Sequence, residues 1–197
     1  MTILDIVTIE SKGHKLESPA ELIIEEEFNS VWLRALAQDL WDTINASKST
    51  GIAAPQVGIN KQIIAFGGKP SLNFPDFNVP FSVLINPTYE AINDEKVTLW
   101  EHCLSLPGKR GHTVRHASIR YDGFDVAGNR IKGEAEGILA VLLQHEIDHI
   151  KGKLFPVLVQ NPSEYGDIAT FEAIRGPGHH IEDGLQTIKS SEKRKDG

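Results

Sequence analysis

The residues best suited to chemistry stand in the segment His145-Glu146-Ile147-Asp148-His149. If this segment is helical, His145 and His149 lie four positions apart on one face, so both imidazoles can bind one ion. Neutral imidazole nitrogens suit a borderline transition metal. Glu146 follows the first histidine and could exchange protons with a water molecule beside the ion. The spacing therefore predicts a helix that carries a metal-dependent hydrolytic site.

A third ligand must come from elsewhere in the chain, because a catalytic metal ion usually has three protein ligands and one open position. Cys103, the one cysteine of the sequence, is a candidate because it precedes a Pro-Gly turn and a bound thiolate is a strong ligand. The alternative is a carboxylate further along the chain, as in thermolysin-type proteases. The candidates for it are Glu164, Asp167 and Glu172. The residues alone leave both sources open.

Another segment, residues 51–58, reads Gly-Ile-Ala-Ala-Pro-Gln-Val-Gly. Its small residues allow the backbone to approach a neighbouring group closely. The side chain of Gln56 could donate an amide N–H to a developing oxyanion. The simpler interpretation is a Gly/Ala turn that carries a polar surface residue.

Two long helices are predicted to position these residues. The first spans residues 25–45, and Asn29-Ser30 either caps it or interrupts it near its start. The second spans residues 137–151 and is ended by Gly152. On the second helix the apolar residues Ile138, Val141 and Leu142 continue at helical spacing to His145, which predicts an apolar wall beside the metal.

Strands are predicted between the helices, at residues 61–66, 82–86, 97–101, 113–122 and 129–134. Pro87 is expected to end the second strand, and a turn at residues 125–128 is expected to join the last two as a hairpin. Residues 67–80 hold three prolines and two glycines and are expected to form a surface excursion.

The element order contains no βαβ alternation, which predicts an α+β fold with a mainly antiparallel sheet packed around the central HExxH helix. We expect residues 1–24 to be an extended arm and residues 1–160 to form a single catalytic domain. Residues 161–197 are then a C-terminal extension. It is expected to hold a short helix at 165–174, to lose order at 176–178 and to end in a charged tail from residue 190.

The composition limits the functional classes. A net charge of −7 over 197 residues argues against a nucleic-acid surface, although the Lys193-Arg194-Lys195 cluster could contact RNA if it is not simply solvated. No apolar stretch approaches the ~18 residues that span a membrane. The N-terminus resembles neither a signal peptide nor a transit peptide, so a cytoplasmic protein is expected, or an organellar one from which the transit peptide has been trimmed.

The three chemical segments, in this order, resemble those of the peptide deformylase family. That family has a Gly-rich stretch ending in Ala-Ala-Pro-Gln-Val-Gly, then Glu-Gly-Cys-Leu-Ser, then Gln-His-Glu-x-Asp-His. Here the three stand at residues 51–58, 101–105 and 144–149, and the resemblance covers roughly residues 25–157. The chain departs from the family at His102 and Ser49, where glycine is usual.

The resemblance implies that the protein removes the N-formyl group from the N-terminal methionine of new polypeptides and releases formate. It implies one divalent metal ion, Fe²⁺ in the cell, with Zn²⁺, Ni²⁺ or Co²⁺ possible in purified protein. It also implies a role for each residue of the site. Cys103, His145 and His149 would be the metal ligands, Glu146 the general acid/base, and the Gln56 side chain and the Leu104 N–H the oxyanion donors.

The resemblance also implies a substrate site and a set of partners. The substrate-binding residues would be Gly51, Leu99, Arg110, Ile138, Val141 and Leu142. The partners would be N-formylmethionyl nascent peptides and, transiently, the ribosome exit region, with the protein itself a monomer. No membrane and no specific nucleic acid are expected as partners.

Several alternatives stay open at this point. Glu101 and Asp148 could fix the histidine orientation, pair with Arg115, or form local surface ion pairs. His102 could point to solvent, narrow the cleft or tune the site. The rival functions are a zinc endopeptidase with a carboxylate third ligand and a peptide-binding homologue whose chemistry is altered by His102.

Overall fold

A computed structural model of the chain describes residues 2–69, 77–175 and 186–188. The helices in these residues are α1 (Val31–Ser47), α2 (Gly137–Ile150) and α3 (Ile168–Arg175). The strands are β1 (Gly51–Ala53), β2 (Ile63–Gly68), β3 (Val79–Ala91), β4 (Lys96–Glu101), β5 (Lys109–His116), β6 (Ser118–Phe124), β7 (Arg130–Glu136), β8 (Tyr165–Asp167) and β9 (Gln186–Ile188).

The strands form two antiparallel sheets. One has five strands in the order β1-β2-β3-β6-β7, and the other has four in the order β8-β5-β4-β9. Helix α2 packs Ala140, Leu143 and Ile147 against the five-stranded sheet, while Val141 contacts Val97 and Leu99 of the other sheet. The fold is therefore α+β, as predicted, with antiparallel sheets around the helix that contains residues 145–149. No helix in the described part of the chain is long and apolar enough to cross a membrane.

Helix α1 begins later than predicted. Residues Glu25–Glu27 form a separate 3-10 turn, and Asn29 then adopts a left-handed φ of 55° that no continuous helix could contain. Ser30 caps the helix proper, because its hydroxyl accepts a hydrogen bond from the Leu33 N–H at 3.1 Å. Asn29 therefore interrupts the predicted helix, and Ser30 caps the observed one. The predicted end of the second helix is close to the observed one, and Gly152 has a left-handed φ of 70°.

Two strand predictions were wrong. Pro87 does not end its strand, because β3 passes through it with an irregular register between Ile85 and Thr88, which accommodates the missing N–H. The predicted strand 113–122 is two strands in different sheets. The chain changes sheet at Ala117, whose N–H donates to the Glu95 carbonyl one residue beyond the β4–β5 pairing and whose carbonyl accepts from the Gly137 N–H one residue beyond the β6–β7 pairing.

The remaining predictions have mixed outcomes. Strands β6 and β7 form the predicted hairpin. The predicted helix 165–174 is only partly correct, since β8 comes first and pairs with β5 before α3 begins at Ile168. Only the edges of the predicted excursion 67–80 are described, and there β2 extends to Gly68 and β3 starts at Val79. The predicted loss of order at 176–178 and the tail from residue 190 lie outside the described residues.

Candidate metal centre and cleft

A cleft of about 990 Å³ lies where α2 passes between the two sheets. Helix α2 supplies one wall, β1 and the following turn supply the second, and β4 with the segment after it supplies the third. Eleven of the twelve residues predicted for the site line this cleft, and His149 lies just behind it. The eleven are Gly51, Gln56, Leu99, Cys103, Leu104, Arg110, Ile138, Val141, Leu142, His145 and Glu146.

The structure brings Cys103, His145 and His149 together. One ligand atom from each lies within 4.8 Å of the other two, and the Cys103 Sγ is 3.2 Å from the His149 Nε2. One thiolate and two imidazoles form a donor set that suits zinc, iron and similar borderline metals. The residues present therefore fit one transition-metal ion.

The three carboxylates considered as alternative third ligands interact with basic side chains outside the cluster. Glu164 contacts the ring of His112 at 3.3 Å, and Asp167 forms a 2.8 Å ion pair with Lys109. Glu172 lies on α3, where its charge acts on Arg110. The arrangement of a protease with a carboxylate third ligand is thus absent from the described residues.

A buried network of charges supports the cluster from behind. Arg115 donates two hydrogen bonds to the Glu101 carboxylate, at 2.8 and 2.9 Å, and a third to Asp148. Glu101 also contacts His145 Nδ1 and accepts a hydrogen bond from Thr113. The two roles considered for Glu101, orienting the histidine and pairing with Arg115, are therefore both observed. A surface ion pair is ruled out, since the side chains of Arg115 and Glu101 are 2% and 4% exposed.

The network sets the protonation states of its members. Burial alone would raise the pKa of Glu101, but the neighbouring Arg115 and His145 hold it below its ordinary value. Burial alone would lower the pKa of Arg115, and the two carboxylates raise it instead. Glu101 is consequently an anion that faces His145 Nδ1, which leaves the other ring nitrogen of that histidine for the cluster.

The two histidines have opposite electrostatic environments. Burial disfavours the charged form of His145, but its contacts with Cys103 and Glu101 raise its pKa well above the ordinary value. Burial and the nearby charges of His145 and Arg115 lower the pKa of His149 well below it. A neutral His149 is the form that can donate a lone pair to a metal ion.

Glu146 is buried beside the cluster, and burial raises the pKa of its carboxyl group to about 7. Its Oε2 has no hydrogen-bond partner among the described residues. Gly51 allows the close approach of Glu146, because a Cβ at that position would lie 2.5 Å from the Glu146 Oε1. The glycine is therefore required by the space that Glu146 occupies.

Gln56 is held in place at both ends of its amide. Its Oε1 accepts a hydrogen bond from the Ala53 N–H at 2.8 Å, which fixes which way the amide faces. Its Nε2 then points to the Cys103 Sγ at 3.4 Å and to the Ser105 Oγ at 3.3 Å. An N–H donor is thus directed at the cluster, and the interpretation of Gln56 as an exposed turn residue is wrong, since it is 2% exposed.

The N-terminal arm joins the two segments that flank the cluster. The Val7 N–H donates to the Gln56 carbonyl at 2.8 Å, and the Ile9 N–H donates to the Ser105 carbonyl at 3.1 Å. The arm therefore spans the outside of both segments. Its contribution, like that of Ser105 and Thr113, was not predicted. Along β5 the buried positions are Gly111, Thr113 and Arg115, and these residue types form no apolar alternation that could have indicated Thr113 from the sequence.

The two departures from the family pattern have different surroundings. His102 is exposed, as expected of a side chain that points to solvent, and it also lines the cleft beside Cys103. Ser49 bonds locally, and its hydroxyl donates to the Gly51 carbonyl at 2.9 Å. Neither residue displaces a member of the cluster.

Comparisons with known proteins agree with this geometry. The family model described as polypeptide deformylase matches residues 3–163. Peptide deformylase 1 of Bordetella pertussis is 42% identical over 142 residues, which cover 72% of this chain and 81% of the relative. Peptide deformylase 2 of Ralstonia nicotianae is 42% identical over 142 residues, covering 72% of this chain and 80% of that protein.

Solved structures show the same similarity. A Met-Ala-Ser-bound class I type b peptide deformylase from Acinetobacter baumannii superposes with a TM-score of 0.75 at 30% identity, covering 80% of this chain and 99% of that one. An actinonin complex of a peptide deformylase from Synechococcus elongatus superposes with a TM-score of 0.70 at 32% identity, covering 82% of this chain and 81% of the other.

Proposed function

Since this chain belongs to the peptide deformylase family, we propose that Cys103, His145 and His149 hold the metal ion of a deformylase and that Glu146 moves the protons. The family assignment carries the reaction itself, which is metal-dependent removal of the N-formyl group from nascent polypeptides. The observation that carries the residue roles is the meeting of three ligand atoms within 4.8 Å in the wall of a cleft that also contains Glu146.

A metal ion bound at this cluster would act as a Lewis acid that lowers the pKa of a water molecule. Glu146 takes the proton from the attacking water and later gives it to the amine nitrogen as the C–N bond breaks, so that formate and a free amine are released. A pKa of about 7 suits both halves of this task near neutral pH. The electrostatics of Glu146 thus favour a residue that accepts and returns one proton.

The oxyanion formed at the formyl carbonyl needs hydrogen-bond donors that are already in position. Gln56 supplies one, because the Ala53 N–H holds its oxygen and leaves its Nε2 directed at the cluster. The backbone N–H of Leu104, next to Cys103, supplies the second. Removing one such donor typically costs about 10²- to 10³-fold in rate.

The methionine side chain would occupy the apolar wall beside the cluster. Ile138, Val141 and Leu142 on α2 and Leu99 on β4 line that part of the cleft. These residues carry no charge, and an unbranched thioether chain fits irregular apolar space. The Acinetobacter baumannii protein was solved with Met-Ala-Ser bound. We therefore expect the formylated form of that peptide to be a substrate here, with Gly51 and Arg110 contacting the residues after methionine.

The finer assignments are also proposals. We propose Fe²⁺ as the ion in the cell, since thiolate and imidazole donors accept it, and Zn²⁺, Ni²⁺ or Co²⁺ as ions that purified protein can contain. We further propose a cytoplasmic monomer that meets its substrates near the ribosome exit region. Residues 1–160 are proposed as the catalytic domain and residues 161–197 as an extension of it.

The direct test is formate release from formyl-Met-Ala-Ser by protein purified anaerobically, with the metal content measured on the same sample. We expect one equivalent of formate per peptide cleaved. Metal-loaded protein that releases no formate would contradict the proposed reaction.

Two variants separate metal binding from proton transfer. Cys103→Ser should lose most of its bound metal and its activity together, whereas a protease-like site would retain both. Glu146→Gln should keep the metal and lose about 10²- to 10⁴-fold in kcat/KM. Glu134→Gln is the matched control, because it makes the same change at an exposed side chain on β7 and should retain activity.

A further inference from the structure

We propose that the cleft selects, among N-formylmethionyl peptides, those with an acidic residue at the first or second position after the methionine. The inference rests on the proposed function and adds a substrate preference to it. It follows from the signs and positions of the charged side chains that line the cleft.

The cleft is larger than the methionine pocket. It extends past the apolar residues beside the cluster to Trp41 on α1 and Phe81 on β3, whose rings lie tilted against each other with centroids 4.5 Å apart. A peptide bound by its first residue would therefore place the following residues in the same cleft. Their side chains would then meet the charges at its rim.

The acidic and basic side chains that line the cleft differ in how far they are exposed to solvent. Among the described residues of its lining, the carboxylates Glu101 and Glu146 are both buried, the first in the network with Arg115 and the second beside the cluster. The other charged side chains in this described lining are Lys48, Lys69 and Arg110. The accessible charge that they place in the cleft is positive, in a chain whose net charge is −7. The acidic composition of the whole chain does not account for this local excess of positive charge.

Lys48 and Lys69 lie at one end of the cleft. The antiparallel register pairs Gly51 with Phe66, and the Gly67 N–H then bonds to the Thr50 carbonyl at 2.9 Å. Lys48 precedes Thr50 by two residues and Lys69 follows Gly67 by two, so both lysines lie within two residues of this bond, and both line the cleft. Both lysines are exposed, and neither forms an ion pair with any residue in the ranges 2–69 and 77–175.

Arg110 supplies positive charge from the other sheet. It lies on β5, is half-buried, and its Nε has no hydrogen-bond partner within the described chain. The charge of Glu172 acts on it from α3 and offsets part of its field, so the two lysines are expected to dominate. Arg110 nonetheless lines the cleft, and a guanidinium carries a fork of N–H donors that matches a carboxylate.

The expected effect is modest because the lysines are exposed. Two unit charges about 4 Å apart in water attract enough to change an equilibrium constant about fivefold. We expect the preference to weaken with salt, since the Debye length falls from about 10 Å at 0.1 M to about 3 Å at 1 M ionic strength.

The test compares isosteric peptides with a C-terminal amide, which removes the terminal carboxylate. The pairs are formyl-Met-Asp-Ser amide against formyl-Met-Asn-Ser amide, and formyl-Met-Ala-Asp amide against formyl-Met-Ala-Asn amide. In at least one pair, kcat/KM should be about three- to tenfold higher for the Asp peptide at low salt, and the ratio should approach one at 1 M NaCl. A ratio is used because it does not depend on the metal loading of the sample.

The variant Lys48→Glu/Lys69→Glu should bring the Asp/Asn ratio to one or below. The control is Lys12→Glu/Lys153→Glu, which changes the net charge equally at exposed lysines that do not line the cleft, and should keep the wild-type ratio. Thermal unfolding of both variants establishes that they are folded.

The experiments distinguish a failure of the substrate preference from a failure of the proposed function. Asp/Asn ratios near one at low salt in both pairs, or equal ratios in the cleft variant and its control, would overturn the preference and leave the deformylase assignment in place. Absence of formate from every peptide, with metal bound, would overturn the proposed function itself.

Discussion

Two arginines five positions apart each bridge two carboxylates, in surroundings that differ sharply. Arg115 on β5 joins Glu101 and Asp148, and all three side chains are under 10% exposed. Arg120 on β6 joins Glu90 and Glu134 across neighbouring strands at 3.0 Å each, and all three side chains are more than half exposed. The two networks have nearly the same composition, so the comparison isolates the effect of burial.

Burial and connectivity together indicate which of these charged groups the site depends on. The Arg115 network joins the end of β4, through Glu101, to helix α2, through Asp148, and Glu101 also contacts His145 of that helix, so it links the segment that leads to Cys103 with the helix that carries both histidines. The Arg120 network joins three adjacent strands that already pair through their backbones. A buried charge that loses its partner is costly, whereas a surface charge returns to water. We therefore expect only the first network to influence stability and metal binding strongly.

The largest effect is expected from Arg115→Met. It leaves two buried carboxylates without their cation, which should reduce the free energy of unfolding by about 3–5 kcal/mol. Urea unfolding of metal-free protein measures this without a contribution from metal binding. Arg120→Met is the matched control and should unfold close to the wild-type urea concentration. Equal shifts for the two variants would show that burial is not what distinguishes the networks.

A smaller effect is expected from Glu101→Gln. The amide keeps a hydrogen-bond acceptor for His145 but removes the negative charge, so the imidazole becomes a weaker ligand. Metal affinity should fall about 10- to 100-fold, measured by competition with a chelator of known affinity. Glu90→Gln makes the same change in the exposed network and should bind metal as the wild type does. An unaltered affinity in Glu101→Gln would mean that this carboxylate has only a structural role.

The features of the site that follow from local helical geometry could be predicted from the sequence. The positions of His145 and His149 follow from helical geometry, and the apolar spacing of Ile138, Val141 and Leu142 places them on the adjoining face. These are local rules, and the structure agrees with them. The α+β class likewise follows from the order of elements along the chain.

The incorrect prediction for residues 113–122 concerns long-range pairing. Residues 113–122 alternate as one strand would, and nothing local shows that the chain changes sheet at Ala117. The partners of Glu101 were equally uncertain, because a Glu and an Arg 14 residues apart can meet in a core or stay on the surface. Only the tertiary fold decides between a buried network, such as that of Arg115, and an exposed one, such as that of Arg120.

The smallest expected effect concerns salt and tests the exposed network directly. At low ionic strength, Arg120→Met should lower the urea midpoint slightly, because two cross-strand attractions are lost. At about 1 M NaCl the Debye length is about 3 Å, so the wild type loses these attractions too and the two midpoints should coincide. The deficit of Arg115→Met should persist at both salt concentrations, because ions in solution screen buried charges poorly. A salt-independent deficit in Arg120→Met would instead point to lost packing by the arginine stem across β3, β6 and β7.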